Sequence, residues 1–313
     1  MPNIFLLYNN PMDKQTLIEL YSSDLNELLA LAKEKTKNTV EFCSLISART
    51  GKCQEGCKYC AQSSYYMTNI PTHPLVETQE VIKVAREAKA NGATRFAIVT
   101  SGRGPLDKDM PRFCEMISEI NKLGLKSCAS IGLLKDGQAQ MLKEAGLVRF
   151  HHNINTCRSY HPYITHTHTY EDRLDTIRKV KEAGLELCCG VIIGMGETIE
   201  QRVEMALELA QIKPESIPFN ILTPIKGTPF ENYGDKIDEE NILRTAAIFK
   251  IANPDSIVRF AGGRKARLSR ENMELALESC VEGILIGNYL TTIGITPEED
   301  IKTLEKLGKT LSV

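Results

Sequence analysis

Residues 170–193 read YEDRLDTIRKVKEAGLELCCGVII, and this stretch contains the unit from which the fold is predicted. Its first part is charged and amphipathic from Tyr170 onward and ends at Gly184, as expected of a helix with a glycine C-cap. Its second part, residues 186–193, is short, apolar and rich in β-branched residues, which is typical of a buried strand. Another helix is expected to begin near Thr198. The stretch therefore predicts a helix–strand–helix unit of a parallel sheet.

The same unit recurs from residue 39 onward, with a period of roughly 30 residues. Strands are predicted at residues 39–46, 94–100, 126–131, 148–155, 186–193, 216–222, 256–261 and 283–287. The helices between them are expected to begin near Glu77, Asp109, Asp136, Tyr170, Thr198, Asp238 and Ser269. Strands that alternate with helices in this number predict an α/β fold, a (β/α)8 barrel of the TIM type, and an open doubly wound sheet is the alternative.

The chain length fits one such barrel with short additions at both ends. The protein has 313 residues, and an α/β barrel typically takes about 250 residues. We expect an N-terminal helical extension at residues 1–38, the barrel at residues 39–295 and a C-terminal helix or tail at residues 296–313.

Composition excludes several classes of protein. Lys and Arg number 38 against 40 Asp and Glu, a balance that gives no basic footprint for nucleic acid. No apolar window is long enough to span a membrane, and the first residues lack the basic region and cleavage site of a secretory signal. Ten cysteines in such a chain are expected to be free thiols in the cytoplasm, where clustered thiols serve as metal ligands or catalysts.

Strand parity predicts which side chains point into the barrel. Leu187, Cys189 and Val191 form one apolar face that should meet the helices, so Cys188 between them should point inward. The same reasoning on the other strands predicts inward side chains at Cys43, Cys128, Arg149, His151, Asn153, Asn155 and Arg259. Cys43, Cys128, Cys188 and Arg259 are therefore expected to converge on one buried cavity.

A second group of cysteines lies in the loop after the first strand, in the sequence Cys53-Gln-Glu-Gly-Cys57-Lys-Tyr-Cys60. Three thiolates within eight residues can bind one face of a soft-metal site. A structural zinc ion needs four ligands, and no Cys or His in the next dozen residues supplies the fourth. A four-iron cluster held by three cysteines would leave one iron open. A zinc site whose fourth ligand comes from a distant residue is the alternative.

This spacing, with Tyr59 just before the last cysteine, resembles the radical S-adenosylmethionine (SAM) superfamily. The segment from Gly190 to Glu197, Gly-Val-Ile-Ile-Gly-Met-Gly-Glu, is similar to the GxIxGxxE segment of that superfamily, which holds the adenine and ribose of SAM. The resemblance implies a [4Fe–4S] cluster on Cys53, Cys57 and Cys60, SAM bound at its open iron, and cleavage of SAM to a radical by an electron from the cluster.

A narrower resemblance covers about residues 39–305 and is to the biotin synthase family. It rests on residues 47–63, 152–156, 170–176, 194–198, 218–220, 226–229 and 258–264. It implies insertion of sulfur between two unactivated carbons of dethiobiotin, with two SAM consumed and the sulfur taken from a second iron–sulfur cluster inside the barrel. It also implies a flavodoxin or ferredoxin as electron donor and a homodimer.

The resemblance also implies roles for individual residues. Tyr59 would lie against the adenine, Asn153, Asn155 and Arg173 would contact SAM and substrate, and Asn220 would bind substrate. The SAM-binding segment contributes Gly190, Ile192, Gly194 and Glu197 as cofactor-binding residues. Asn155 departs from the well-known branch, which has aspartate there, so any ionic contact at this position is weaker.

The main departure concerns the second cluster. The resemblance implies a [2Fe–2S] cluster on three strand cysteines and an arginine, and Cys128, Cys188 and Arg259 match three of these positions. The fourth is Ala97, which cannot bind iron. Since parity directs Cys43 inward on the adjacent strand, we predict that Cys43 replaces it and that the cluster differs from the usual one, with a four-iron cluster carrying an extra sulfide as the candidate. The alternative role of Cys43 is that of a small core residue.

Other functions stay open at this point. A hydrogenase-cofactor maturase or a methylornithine synthase would share the barrel and the three-cysteine loop, and a zinc-binding protein without catalytic activity represents another class. Cys114, Cys157, Cys189 and Cys280 are expected to be packing residues, and His161, His166 and His168 are expected in a lid or solvated loop.

Overall fold

The computed structural model of the protein describes residues 13–287 and 294–312. Within these described residues, two helices precede the barrel, α1 (Lys14–Tyr21) and α2 (Leu25–Glu34). Their N-terminal N–H groups are capped by Asp13 and Asp24, whose carboxylates accept hydrogen bonds from the backbone N–H groups of the first turns. Predicted features at residues 1–12 and 288–293 lie outside the described residues.

The strands have the following bounds: β1 (Thr39–Arg49), β2 (Arg95–Thr100), β3 (Lys126–Ser130), β4 (Arg149–His151), β5 (Glu186–Cys188), β6 (Val191–Ile193), β7 (Ser216–Ile221), β8 (Ile257–Phe260), β9 (Gly283–Leu285) and β10 (Thr310–Leu311). The helices after α2 are α3 (Thr78–Ala90), α4 (Met110–Lys122), α5 (Gln138–Glu144), α6 (His161–Ile164), α7 (Tyr170–Glu182), α8 (Ile199–Ile212), α9 (Glu239–Ala252), α10 (Arg264–Arg267), α11 (Arg270–Ser279) and α12 (Pro297–Lys306).

The parallel strands close into a barrel. Neighbours follow the order β1-β2-β3-β4-β5-β7-β8-β9, and β9 pairs again with β1 through Glu41, Phe42 and Cys43. β6 pairs with β7 and continues β5, so these two strands occupy one position of the barrel. The predicted barrel is confirmed, and the open-sheet alternative is wrong. The short strand β10 pairs with β1 outside the ring.

The predicted strand at residues 186–193 is interrupted at Cys189 and Gly190. The interruption lies beside Pro218 of β7, which has no N–H group to donate to the ladder. The backbone segments around Gly190 and Pro218 also lie close together. A Cβ atom at Gly190 would be only 2.0 Å from the carbonyl oxygen of Pro218. Glycine is therefore required where β5 passes into β6.

Most helix starts lie where the sequence places them. Thr198, Asp238 and Ser269 are N-caps whose side chains accept backbone hydrogen bonds. Asp136 is an exception, since α5 begins at Gln138 and its N-cap is Gly137 in the left-handed conformation, with φ of 79°.

The hydrophobic core lies between the sheet and the surrounding helices. Leu187, Cys189 and Val191 are fully buried in it, as parity predicts. Leu17 and Leu28 belong to the same core, so the N-terminal helices pack onto the barrel. The three-part division of the chain stays a prediction. Among the described residues, no helix has the length and apolar character needed to cross a bilayer.

Candidate active site

A cavity of about 310 Å³ opens at the carboxyl ends of the strands. We call it the mouth cavity. It is lined by nine of the residues singled out in the sequence: Cys53, Cys57, Tyr59, Cys60, Asn153, Asn155, Arg173, Ile192 and Asn220. The carboxyl end is where barrel enzymes carry their active sites.

The loop after β1 folds back on itself and turns three thiols to this cavity. The N–H of Cys60 donates to the carbonyl of Cys57 at 3.0 Å, and the N–H of Cys53 donates to Gln62 at 2.9 Å. The loop enters through Gly51, whose φ of 74° and contact with Thr72 leave no room for a side chain. The three cysteines therefore share one compact turn.

Burial makes two of these thiols, Cys57 and Cys60, reluctant to ionise without a cation. It raises the pKa of Cys60 to about 12, and the neighbouring Cys57 adds to this rise. Burial also raises the pKa of Cys57, although the Arg173 guanidinium opposes the shift. A bound metal centre would reverse this preference, since coordination deprotonates a thiol outright.

The donor set fits an iron–sulfur cluster. Cys53, Cys57 and Cys60 are free thiols, and soft thiolates are the ligands that such clusters take. Within residues 13–287 and 294–312, no three His, Cys, Asp or Glu side chains converge on a site for a single metal ion. A four-iron cluster is larger than an ion and binds each thiolate at a separate iron, so its ligands stand farther apart.

Asn155 fixes the position of Tyr59. Its backbone is left-handed, with φ of 68°, a conformation that asparagine tolerates better than most residues. β4 ends before this residue, at His151, which pairs with Cys188 at the end of β5, so the strand is shorter than the predicted 148–155. The backbone of Asn155 bridges to Val191 of β6, and its side-chain N–H donates to the Tyr59 hydroxyl at 2.7 Å.

The two other predicted amides are held by backbone groups. Asn153 accepts a hydrogen bond from the N–H of Gly190 at 2.8 Å. Asn220 donates to the carbonyl of Val191 at 3.1 Å and accepts from the N–H of Gly262 at 3.0 Å. Their orientation in the cavity wall is therefore fixed before any ligand binds.

A relay that sequence reasoning missed connects the cysteine loop to Arg173. Glu55 accepts a hydrogen bond from Nδ1 of His168 at 2.6 Å, and Nε2 of His168 accepts one from Nη2 of Arg173 at 2.8 Å. Glu55 also accepts hydrogen bonds from Arg103 and Thr167. The ring of His168 must be neutral in this arrangement, because one nitrogen donates and the other accepts.

Burial favours this neutral form. It lowers the pKa of His168 against the opposing hydrogen bond from Glu55. His161 and His168 are both buried, so the expectation of a solvated loop is wrong for these two residues. They pack edge-on against each other at a centroid distance of 5.4 Å. The position of Glu55 inside the cysteine motif was the one available signal in the sequence.

Gly190, Gly194 and Glu197 are buried but are not among the residues that line the mouth cavity. The Glu197 carboxylate accepts hydrogen bonds from the N–H groups of Gly194 and Met195, both at 2.8 Å. It also pairs with Arg202 at 2.9 Å. Glu197 therefore fixes the turn after β6. Its carboxylate is occupied by these contacts within the protein and does not face a ligand site.

A second cavity of about 160 Å³ lies deeper in the barrel, and we call it the inner cavity. The structure brings together there the four residues that parity directed inward, Cys43, Cys128, Cys188 and Arg259. Ala97, Arg95 and Arg149 also line it. The two cavities share Val99, Ser130, His151 and Asn220, so they adjoin.

The inner cavity combines thiols with fixed positive charge. The hydrogen bond between Cys43 and Cys128, and then burial, raise the pKa of Cys43 well above its usual range. The same hydrogen bond lowers the pKa of Cys128 to about 7 against burial, with help from Arg149 and Arg95. The guanidinium groups of Arg149 and Arg95 therefore favour a thiolate at Cys128.

One buried donor in this cavity wall lacks an acceptor. Nη1 of Arg95 has no hydrogen-bond partner among the described residues. A buried N–H group of this kind normally finds one. Three thiols beside guanidinium groups and an orphaned donor fit an anionic iron–sulfur cluster, whose sulfides accept hydrogen bonds.

Comparison with known proteins agrees with the fold. Residues 48–209 match the Radical SAM superfamily, and residues 218–310 match the Biotin and Thiamin Synthesis associated domain. The crystal structure of a methylornithine synthase covers 99% of this chain and 93% of its own at a TM-score of 0.78, with 18% identity. At that identity the likeness shows the fold alone. The fold and the mouth cavity thus define an enzyme of the radical SAM superfamily.

Curated relatives narrow the class. The biotin synthase of Acetivibrio thermocellus is 43% identical over 279 residues, covering 89% of this chain and 86% of its own. That of Pelotomaculum thermopropionicum is 44% identical over 289 residues, covering 90% and 89%. The chain belongs to the biotin synthase family, and its activity is radical SAM-dependent biotin synthesis. Family membership decides against the maturase, methylornithine synthase and zinc-protein alternatives.

Proposed function

We propose that the protein converts dethiobiotin to biotin with sulfur drawn from an auxiliary cluster bound by Cys43, Cys128 and Cys188. Cluster-bound SAM supplies the radical that removes hydrogen from the substrate, and the auxiliary cluster supplies the sulfur. The observation that carries the proposal is the convergence of these three thiols and Arg259 on an inner cavity that adjoins the mouth cavity.

At the mouth cavity, Cys53, Cys57 and Cys60 hold the [4Fe–4S] cluster. Arg173 offers a fixed positive charge to the carboxylate of SAM, because His168 and the carbonyl of Asn153 already orient its guanidinium. Tyr59 presents its ring to the adenine while Asn155 holds its hydroxyl. Asn155 is an amide here, so its contacts to ribose hydroxyls or a ring N–H are neutral hydrogen bonds.

The substrate lies between the two cavities. His151 and Asn220 line both of them, and the substrate must reach the radical on one side and the sulfur donor on the other. Burial, and then Arg259 and Arg173, lower the pKa of His151 to about 4, so this ring stays neutral at the boundary. Asn220 supplies amide groups that match a ureido ring.

The auxiliary cluster differs from the usual [2Fe–2S] type. Ala97 lines the inner cavity but cannot bind iron, whereas the Cys43 thiol faces the same cavity from β1. Cys43, Cys128 and Cys188 support a four-iron cluster that carries an extra sulfide. The inner cavity is enclosed by the barrel, which keeps water and oxygen from the radical and the cluster.

Further parts of the proposal concern the cellular setting. The electron for SAM cleavage comes from a flavodoxin or ferredoxin. The protein acts as a homodimer in the cytoplasm, and its ten free cysteines suit a reducing compartment.

The experiment is anaerobic incubation of the purified protein with dethiobiotin, SAM and reductant, with biotin detected by mass spectrometry. Iron and sulfide are counted in the same preparation. Biotin formation with iron in excess of one four-iron cluster supports the proposal. Biotin formation from a preparation with only the mouth cluster would contradict the sulfur source.

A further inference from the structure

A buried carboxylate, Glu41, lies beneath the cysteines of the inner cavity. Glu41 precedes Cys43 by two residues on β1, so both side chains point into the barrel. Its side chain is 8% exposed. Burying an unpaired carboxylate costs free energy. The partners of Glu41 therefore decide its role.

Three arginines from three other strands surround Glu41. Its carboxylate accepts hydrogen bonds from Nε of Arg95 at 2.6 Å, from Nη1 of Arg149 at 2.9 Å and from Nη2 of Arg259. Glu186 contacts two of these arginines, Arg149 at 2.8 Å and Arg95 at 3.1 Å. Among the described residues, Glu41 is the carboxylate paired with Arg259.

Two of the three guanidinium nitrogens of Arg259 donate hydrogen bonds within the protein. Nη2 donates to Glu41, and Nε donates to the hydroxyl of Ser216 at 2.7 Å. Gly283 of β9 lies between the two strands at this level, paired with Glu41 on one side and Arg259 on the other. A Cβ atom at Gly283 would lie 3.3 Å from Cζ of Arg259 and 2.9 Å from its Cβ. The absence of a side chain at this position therefore leaves room for the guanidinium of Arg259 to reach Glu41.

Pairing with Glu41 favours the protonated form of Arg259, which cannot bind a metal. The protonated group has five N–H donors and no acceptor lone pair, and arginine keeps its proton in proteins. Its remaining N–H groups can still donate to the sulfides of a cluster. The three arginines and two carboxylates together leave one positive charge next to the thiols, which favours an anionic group in the inner cavity.

We propose that Glu41 is a positioning residue that holds Arg259 as a hydrogen-bonding counter-ion of the auxiliary cluster, so that Arg259 does not bind iron and Cys43 serves as the third protein ligand. This inference rests on the proposed function, because it presupposes a cluster in the inner cavity. Glu41 and Cys43 then form a pair on one strand: the first keeps the arginine away from iron, and the second provides the thiolate.

The test uses the anaerobically prepared full-length enzyme with arginine labelled by heavy nitrogen. Pulsed electron paramagnetic resonance of the reduced clusters measures the coupling of labelled nitrogen to iron, and Arg259→Lys assigns any signal to this residue. We expect only the weak coupling of a hydrogen-bonded nitrogen, and unchanged iron and sulfide in Arg259→Lys. The strong coupling of a directly bound nitrogen, lost in Arg259→Lys, would overturn the inference.

A pair of variants distinguishes the contact between Glu41 and Arg259 from a general effect of negative charge near the cluster. Glu41→Gln and Glu186→Gln each remove one negative charge from the arginine group, but only Glu41 contacts Arg259. We expect a more positive midpoint potential of the auxiliary cluster in Glu41→Gln and little change in Glu186→Gln. Equal shifts in the two variants would refute the positioning role. If Glu41→Gln does not fold, the labelled wild type still decides.

The outcomes also separate this inference from the proposed function. Absence of auxiliary iron in the wild type would overturn the proposed function and the inference with it. Auxiliary iron bound by an arginine nitrogen would overturn the inference alone.

Discussion

The side chains of Cys43 and Cys128 belong to one buried cluster although β2 runs between their strands. Ala97 is the residue of β2 that packs with both, and its small side chain leaves the space in which they meet. The absence of a thiol at position 97 and the presence of one at position 43 are therefore one structural feature. On the proposed function, the ligand set of the auxiliary cluster has moved by one strand around the barrel.

Replacement of Cys43 by alanine should remove the auxiliary iron and sulfide and leave the mouth cluster in place. Only the inner cavity loses a thiolate, because Cys43 lines that cavity and does not line the mouth cavity with Cys53, Cys57 and Cys60. Iron and sulfide analysis of anaerobic preparations measures the effect. Biotin formation should fall below detection.

Cys189→Ala is the matched control, since Cys189 is equally buried but packs against the helix layer. Its iron and sulfide should equal those of the wild type. Auxiliary iron unchanged in Cys43→Ala would mean that Cys43 is only a core residue. The double variant Cys43→Ala, Ala97→Cys should regain auxiliary iron as a smaller cluster, because it returns a thiol to β2.

Replacement of His168 by leucine should weaken SAM binding about tenfold, since one hydrogen bond to a charged group contributes about 1.5 kcal/mol. The leucine cannot accept from Arg173 or donate to Glu55, so Arg173 loses its orientation. His168→Gln keeps one donor and one acceptor and should restore most of the affinity. Equilibrium dialysis with labelled SAM on the cluster-loaded protein gives the dissociation constants.

His166→Ala serves as the control for His168, because His166 lies in the same segment and contacts the ring of Tyr65 instead of the relay. Its SAM affinity should match the wild type. Equal losses in His166→Ala and His168→Leu would show that the segment, and not the relay, sets the affinity.

SAM affinity should also fall in acid. Burial lowers the pKa of His168 below its ordinary value of 6.5, whereas hydrogen bonds from His168 and Thr167 lower the pKa of Glu55 to about 2 against burial. Glu55 thus stays ionised while His168 gains a proton below pH 6.5, and the protonated ring turns an N–H toward the N–H groups of Arg173. The neutral ring stabilises the fold fully above pH 6.5, and this contribution is lost as the pH falls through the lowered pKa.

The measurement is the SAM dissociation constant between neutral pH and pH 5. It should rise in the wild type and change little in His168→Gln, whose amide does not titrate. A parallel rise in both proteins would assign the effect to another group.

Replacement of Tyr21 by phenylalanine should destabilise the protein by about 1–3 kcal/mol. The hydroxyl accepts from Nη1 of buried Arg202 at 2.9 Å and contacts Oδ1 of Asn241 at 2.9 Å, so its loss leaves a buried charged donor unpaired. Thermal unfolding of the variant measures the loss. Tyr163→Phe, at an exposed tyrosine, should change stability by less than about 0.5 kcal/mol. Identical melting of Tyr21→Phe and the wild type would refute this role of the hydroxyl.

Periodicity and parity predict the barrel and the inward direction of Cys43, Cys128, Cys188 and Arg259, because each depends only on residues close in sequence. The positions where strands are interrupted are harder to predict from the sequence. β4 ends at the level where its partner β5 is interrupted, and that interruption lies beside Pro218 of another strand.

Partners that are distant in sequence could not be predicted. Glu41 meets Arg149 and Arg259 only because the barrel closes, and residues 41 and 259 are separated by most of the chain. His168 contacts Glu55 across 113 positions. Single-residue patterns carry no information about such pairs, which are fixed by tertiary packing.

On the proposed function, thiols on β1, β3 and β5 hold the sulfur that enters biotin. This sulfur can be traced by loading the clusters with a heavy sulfur isotope, removing free sulfide, and following one anaerobic turnover with dethiobiotin, SAM and reductant by mass spectrometry. We expect biotin that carries the heavy isotope, together with loss of auxiliary sulfide. Biotin with sulfur of natural isotopic composition, or with auxiliary sulfide intact, would refute this source of the sulfur.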